Sequence, residues 1–237
     1  MAGRYGITFN GKHSFDDFGI TVANKVIGNP EKIKRKERVP FSNEIYDFSK
    51  LYGGGQEYEE RSLTYVFNIR ARTKEEIVIK KIEFLNHLQR PIGKVELRDD
   101  VIPGYYFMAE VEEAPQFNEL SYGGTLAVTF TAYPFKIADL REGHDKWDAF
   151  NFLIDSSPIV EYQVYGSVLA ILQNPGASSI CPIIKSTSPM IIVMAHIEYR
   201  VPIGESKSYS LPLKQGANYM QIIGNGVISF EFNKEVL

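Results

Sequence analysis

A chain of 237 residues, 44% hydrophobic and 23% charged, holds enough apolar material for one large or two modest domains; this composition excludes a disordered chain. The net charge of −3 argues against a basic nucleic-acid-binding face. A single cysteine, Cys181, excludes internal disulfides and cysteine-built metal cages, and the four histidines are isolated, without metal-ligand spacing.

In chain order, Ile7, Thr8 and Phe9 precede Asn10-Gly11. That dipeptide tolerates positive φ at both central positions of a tight hairpin turn, so a hairpin opens the chain. Residues 21–27 read as a strand, ended by the turn signal Gly28-Asn29-Pro30. A basic run follows, in which Lys32, Lys34 and Lys36 alternate with Ile33, Arg35 and Glu37, before Arg38. A charged, solvated strand edge that discourages unwanted pairing is the plain reading of this run. Gly53, Gly54 and Gly55 form a loop; without a Lys-Ser/Thr ending they do not make a phosphate cradle. Residues 61–70 then place Leu63, Tyr65, Phe67 and Ile69 on one face of a strand.

Thr73 followed by Glu76 predicts a capped helix start, with the Thr73 hydroxyl on the amide of Glu76 and the Glu76 carboxylate reaching back. Ile77, Val78, Ile82, Phe84, Leu85 and Leu88 recur at helical spacing as a packing stripe, and Pro91 ends the helix. Strands follow at 93–97, 105–112 and 126–133, the last after a turn at 122–124. Residues 1–140 therefore read as an α+β domain with one helix and a largely antiparallel sheet.

The charged stretch 136–147 reads as a domain junction. Beyond it no helical period appears. Strands are expected near 150–154, 159–172, 180–185, 190–199, 209–213, 218–223 and 227–232. Turns at 174–176, 186–189, 214–217 and 224–226 separate them. The protein is thus mainly β, and residues 141–237 predict a β-sandwich. The apolar run 190–195 is too short to span a bilayer, so no membrane partner is expected, and residues 1–6 lack the apolar core of a signal peptide. Cys181, with apolar neighbours Ile180 and Ile183, reads as a buried, inert thiol.

Catalytic patterns are weak. Glu110 and Glu112 alternate with Val111 on one strand face and, with Glu113, read as solvated carboxylates rather than a hydrolytic pair. No Gly-x-Ser-x-Gly elbow occurs. No catalytic residue, metal ligand or cofactor is expected, and the chain reads as a non-enzyme.

The opening, from Ile7 through Asn10-Gly11 and Ser14 to Asp16-Asp17-Phe18-Gly19-Ile20, resembles that of distal tail proteins (Dit) of long, flexible-tailed phages or prophages of Gram-positive bacteria. The resemblance continues through Pro30, Tyr46-Asp47-Phe48-Ser49, the glycine loop, Glu59-Glu60-Arg61-Ser62-Leu63 and the single helix. It extends to Gly166, Asn174-Pro175-Gly176, Cys181-Pro182-Ile183-Ile184 and Leu213-Lys214-Gln215-Gly216-Ala217-Asn218.

What the resemblance implies is a structural hub at the virion tail tip, made in the host cytoplasm. Its first domain would be tail-tube-like and close a hexameric ring around an axial channel. Its second would be a galectin-like sandwich. Partners would be further copies of the chain, the tail-tube protein, a tail-associated hub protein, the tape-measure protein and receptor-binding proteins, with DNA only passing through. Under this reading Lys32, Lys34, Arg35, Lys36 and Arg38 form a ring-interface or lumen segment, pairing between subunits with Glu57, Glu59 or Glu60.

A second reading is a carbohydrate-binding module for host cell-wall saccharide. Galectins use a His-x-Asn-x-Arg strand; here His196-Ile197-Glu198-Tyr199-Arg200 carries Glu198 in place of that Asn. Trp147 lies at the junction, leaving Tyr162, Tyr165 and Tyr199 as candidate stacking rings.

Overall fold

A computed structural model describes residues 5–49, 56–120, 123–143 and 159–237. The expected strand at 150–154, Trp147, Tyr122 and the glycines 53–55 lie outside them. The chain divides into two compact units, Met1–Ile137 with Leu237, and Ala138–Val236. Apart from one helix, α1 (Lys74–Gln89), the described elements are strands.

In chain order the strands of the first unit are β1 (Ile7–Phe9), β2 (Lys12–His13), β3 (Thr21–Ile27), β4 (Lys36–Arg38), β5 (Ile45–Asp47) and β6 (Arg61–Arg70). After the helix come β7 (Val95–Asp99), β8 (Tyr105–Glu110), β9 (Gln116–Leu120), β10 (Gly123–Ala132) and β11 (Lys136–Ala138). The sheet runs β2-β1-β7-β8-β10-β6-β3, and β9 also pairs with β10. Asn10 and Gly11 take φ of 46° and 77°, as the tight β1–β2 turn requires.

The period-two reading of β6 holds: Leu63, Tyr65, Phe67 and Ile69 are all fully buried. Opposite them stand Leu126, Val128 and Phe130 of β10, also fully buried, in a ten-pair antiparallel ladder. Each large apolar side chain so enclosed contributes roughly 2–3 kcal/mol of transfer free energy.

Helix α1 closes this core from one side. Phe84 meets Phe67 edge-on at 4.9 Å between ring centroids and Phe18 at 5.2 Å. The Thr73 hydroxyl accepts from the Glu76 amide at 3.2 Å. The Glu76 carboxylate reaches one residue further back than a capping box predicts and accepts from the Arg72 amide at 2.9 Å. The packing stripe is also narrower than expected. Ile77, Phe84 and Leu88 are buried and Leu85 partly so, whereas Val78 and Ile82, with Ile79, are exposed. Six apolar positions at mixed spacing cannot all face one sheet; they divide between two helix faces.

Asp99 at the end of β7 lies within the first core. Its carboxylate accepts from the Tyr65 hydroxyl at 2.8 Å, the Lys25 ammonium at 2.7 Å, the Tyr5 hydroxyl at 3.1 Å and the Val101 amide at 2.9 Å. Burial, then the neighbouring carboxylate, pushes the Tyr65 hydroxyl well above its ordinary pKa, so it acts only as a donor.

The strands of the second unit are β12 (Glu161–Asn174), β13 (Ile183–Ser186), β14 (Met190–Met194), β15 (Ile197–Val201), β16 (Gly204–Lys207), β17 (Gly216–Glu231) and β18 (Glu235–Val236). The sheet order is β15-β14-β17-β13-β16, with β12 along β17. β17 is the common partner, and β12 pairs with it over fourteen registered positions. Leu172, Ile192, Ile222 and Ile228 are fully buried in this unit's core, alongside Leu211 and Leu213.

Four sequence expectations change here. Residues 190–199 are a hairpin rather than one strand, turning at Ala195 and His196 with φ of 51° and 67°. Residues 224–226 are no turn: β17 runs through them. Segment 209–213 is not a strand, and only Leu213 bridges, to Ile180. Cys181 is half-buried rather than buried.

Candidate functional site: a charged ribbon with an apolar tip

The described residues 28–49 and 56–60 continue the β3–β6 pair as a two-stranded ribbon. Its rungs begin at the Gly28 amide on the Ser62 carbonyl (2.9 Å) and the Glu59 amide on the Glu31 carbonyl (2.8 Å). They continue with the Lys32–Tyr58 bridge and the Ile33 amide on the Glu57 carbonyl (2.9 Å). β4 and β5 form the outer part, and the Val39 amide on the Glu44 carbonyl (3.1 Å) closes the tip. Among the described residues no other strand pairs with β4 or β5. Phe41 stands at the tip, fully exposed and with φ of 60°. A bulky residue rarely adopts that backbone conformation, and such strain concentrates where a segment has a task beyond folding.

All five basic residues singled out from sequence lie on the first arm of this ribbon. Lys34 pairs with Asp47 at 3.0 Å and Arg35 with Glu57 at 3.3 Å, both within the same chain. The Ser49 hydroxyl and amide, with Lys34, hold the Asp47 carboxyl well below the usual carboxylate range. Glu60 is engaged by Lys94 at 2.7 Å. Lys32, Lys36 and Arg38 have no ion pair among the described residues. Register places Lys36 opposite Asp47 and Arg38 opposite Ile45. Lys36 and Arg38 therefore share a ribbon face with Ile45 and Asp47, and Tyr46 lies on the other face, opposite Glu37.

The other sequence candidates are spread elsewhere. Glu110 accepts from Lys94 at 3.1 Å and Glu112 from the Thr131 hydroxyl at 2.9 Å, so each has its own partner. No cluster of His, Cys, Asp and Glu able to hold a metal occurs among the described residues. The Tyr162 hydroxyl donates to the Ile171 carbonyl at 2.8 Å, and the Tyr199 hydroxyl donates to the Ser210 carbonyl. Tyr165 has no hydrogen-bond partner among the described residues and is 79% exposed. Beside α1 a cleft of about 870 Å³ is lined by Lys12, Phe18, Glu83, His87 and Arg90 among others.

Sequence reading missed the exposed apolar face of α1, although the excess of apolar positions over one helical stripe is its signal. It also missed that residues 28–38 pair with 45–48 and 57–62; Tyr46 and Phe48, alternating with Asp47, carried that information.

The fold has solved counterparts. The Dit protein of phage SPP1, described as a paradigm of the hub adsorption apparatus in Gram-positive-infecting phages, superposes with a TM-score of 0.68. The match covers 98% of this chain and 99% of that one at 13% sequence identity. This chain has the Dit fold. A chain of the phage p2 baseplate, in its activated conformation with Sr, aligns over 98% of this chain and 97% of its own at 11% identity and a TM-score of 0.44. No protein-family model matches the sequence, and no curated protein matches it.

Proposed function

We propose that this chain is a structural hub protein of a siphophage-type tail tip, assembling as a hexameric ring that joins the tail tube to the host-adhesion device. The observation that carries the reading is the fold likeness to SPP1 Dit over nearly the whole of both chains. The ordered sequence features of the opening hairpin, the ribbon and the second unit support it. In this reading residues 1–140 form the ring and resemble a tail-tube subunit, and residues 141–237 are a galectin-like domain. The channel passes the tape-measure protein and then DNA. The ring meets the tail-tube protein on one side and the tail-associated hub protein on the other, and receptor-binding proteins attach to it. The chain acts by geometry, without catalysis. A heterologous contact repeated around a closed axis limits growth to a ring and hides the sheet edges that would otherwise pair at random.

The test is the mass of the full chain in solution, by native mass spectrometry and light scattering over a range of concentrations, with negative-stain images. A discrete six-fold ring with a central hole is expected. A monomer at every concentration, alone and with purified tail-tube protein, would overturn the reading.

One observation favours glycan binding as a second reading. Tyr165 and Tyr219, 79% and 69% exposed, stand on outward positions of β12 and β17, each two residues along its strand from an outward glutamine, Gln163 and Gln221, and a ring beside an amide suits a sugar face. Titration with host cell-wall saccharide checks it: binding that Tyr165→Ala removes supports this reading, and absence of binding ends it.

A further inference from the structure

The ribbon carries apolar side chains and unpaired cations in water, and α1 carries the complement. On the helix, Val78, Ile79 and Ile82 are each about half exposed. With 3.6 residues per turn, Glu75, Ile79, Ile82, Glu83 and Asn86 share one outward face. The helix lysines are all turned to other tasks within their own subunit. Lys74 lies 3.8 Å from Glu119, Lys80 donates to the Arg70 carbonyl at 3.2 Å, and Lys81 sits over the Phe117 ring at 4.7 Å. Glu75 and Glu83, by contrast, have no partner among the described residues. The outward face of α1 is therefore apolar in the middle and acidic at its edges.

The ribbon matches it in reverse. Phe41 and Ile45 are exposed at the outer end, flanked by the unpaired Lys36 and Arg38. We infer that the ribbon tip of one copy docks on the outward face of α1 of the adjacent copy, seating Phe41 and Ile45 on Val78, Ile79 and Ile82 and pairing Lys36 and Arg38 with Glu75 and Glu83. This rests on the proposed ring and names the contact that closes it. The two surfaces differ, so the contact is head-to-tail, the kind that generates rings rather than isolated dimers. Opposite charges around an apolar centre exclude wrong registers and leave the tip without a stable site on any like-charged face. The strained φ of Phe41 fits this role, because presentation of the ring outward serves the contact and not the monomer.

A charge-swap cycle on the full chain tests the inference, read by native mass spectrometry and light scattering. Glu75→Lys with Glu83→Lys should raise the concentration for half-assembly at least about tenfold, as should Lys36→Glu with Arg38→Glu. All four changes together should restore assembly to near the wild-type concentration, a rescue that a folding defect does not give. In a second arm, both samples carry Cys181→Ser; one adds Arg38→Cys and the other Glu83→Cys. Mixed and oxidised, they should form a disulfide between copies. A wild-type ring whose assembly is unmoved by either pair of reversals, or that the four changes fail to restore, overturns the contact and leaves the ring reading standing. A wild-type chain that never assembles removes the ring reading, and this contact with it.

Discussion

Asp99 and Glu142 are both buried carboxylates, and their surroundings give them opposite behaviour. Asp99 is met by an ammonium, two hydroxyls and an amide, and ties β7 to Tyr5, Lys25 and Tyr65. Asp99→Ala should destabilise the first unit by about 3 kcal/mol, because it strips the Tyr65 hydroxyl of its acceptor in a closed core and leaves Lys25 without its counter-charge. Chemical denaturation at neutral pH checks this, and a loss under about 1 kcal/mol would contradict it. Glu142 is only 8% exposed, and burial pushes its carboxyl up from 4.5 to about 6, against the pull of Lys234. The folded state thus holds this proton more tightly than the unfolded chain does. The stability that the group contributes is full below pH 4.5 and is lost as the pH rises through about 6. Glu142→Gln should therefore raise unfolding stability by about 1–2 kcal/mol at neutral pH and change it little at pH 4.5. Melting curves across that window measure the difference.

Elements were legible in the sequence where one pattern sufficed. β3 and β6 have the bounds that alternation and turn signals gave, and α1 begins at the expected Thr73 cap and ends before Pro91. The sequence was less clear where a residue type carried a second meaning. Gly224-Asn225-Gly226 reads as a turn, yet those glycines lie inside β17 for lack of room. A Cβ on Gly226 would lie 2.5 Å from the Thr187 hydroxyl oxygen, and the glycine φ is 131°. Gly226→Ala should accordingly cost roughly 2 kcal/mol in the second unit, measured by thermal unfolding; an unchanged melting point would show that the strand has space after all. Ala195 and His196 carry no turn signature, so the β14–β15 hairpin was hidden. The basic alternation from Lys32 to Arg38 was visible as a pattern, but which cations remain free depends on Asp47 and Glu57, brought close only by pairing of the ribbon's arms. At the tip, Phe41→Gly relieves a left-handed backbone. It should stabilise the isolated chain by up to about 1 kcal/mol while weakening assembly, so melting and mass measurements should move in opposite senses.

At the scale of the molecule, each unit has its own core. The mainly β character followed from alternation and turn spacing, because those signals are local. Strand order was not legible: it depends on which distant segments meet, and nothing local to β12 announces a partner some fifty residues on. β17 illustrates the consequence, since it is the strand that β12, β13 and β14 share. A ribosome makes β12, β13 and β14 first, and each leaves the exit tunnel with a bare hydrogen-bonding edge. The first unit has the continuous path β2-β1-β7-β8-β10-β6-β3 of its sheet in hand by Ala132, but the second cannot close until residue 231 is out. Nascent chains stalled with residue 215 just exposed should resist protease across β1 to β10 and be cut throughout β12 to β16, with protection arriving only after β17 emerges. Synthesis therefore leaves an interval in which a folded first unit is tethered to an open second one, whose unpaired edges are then exposed to pairing with a neighbour's.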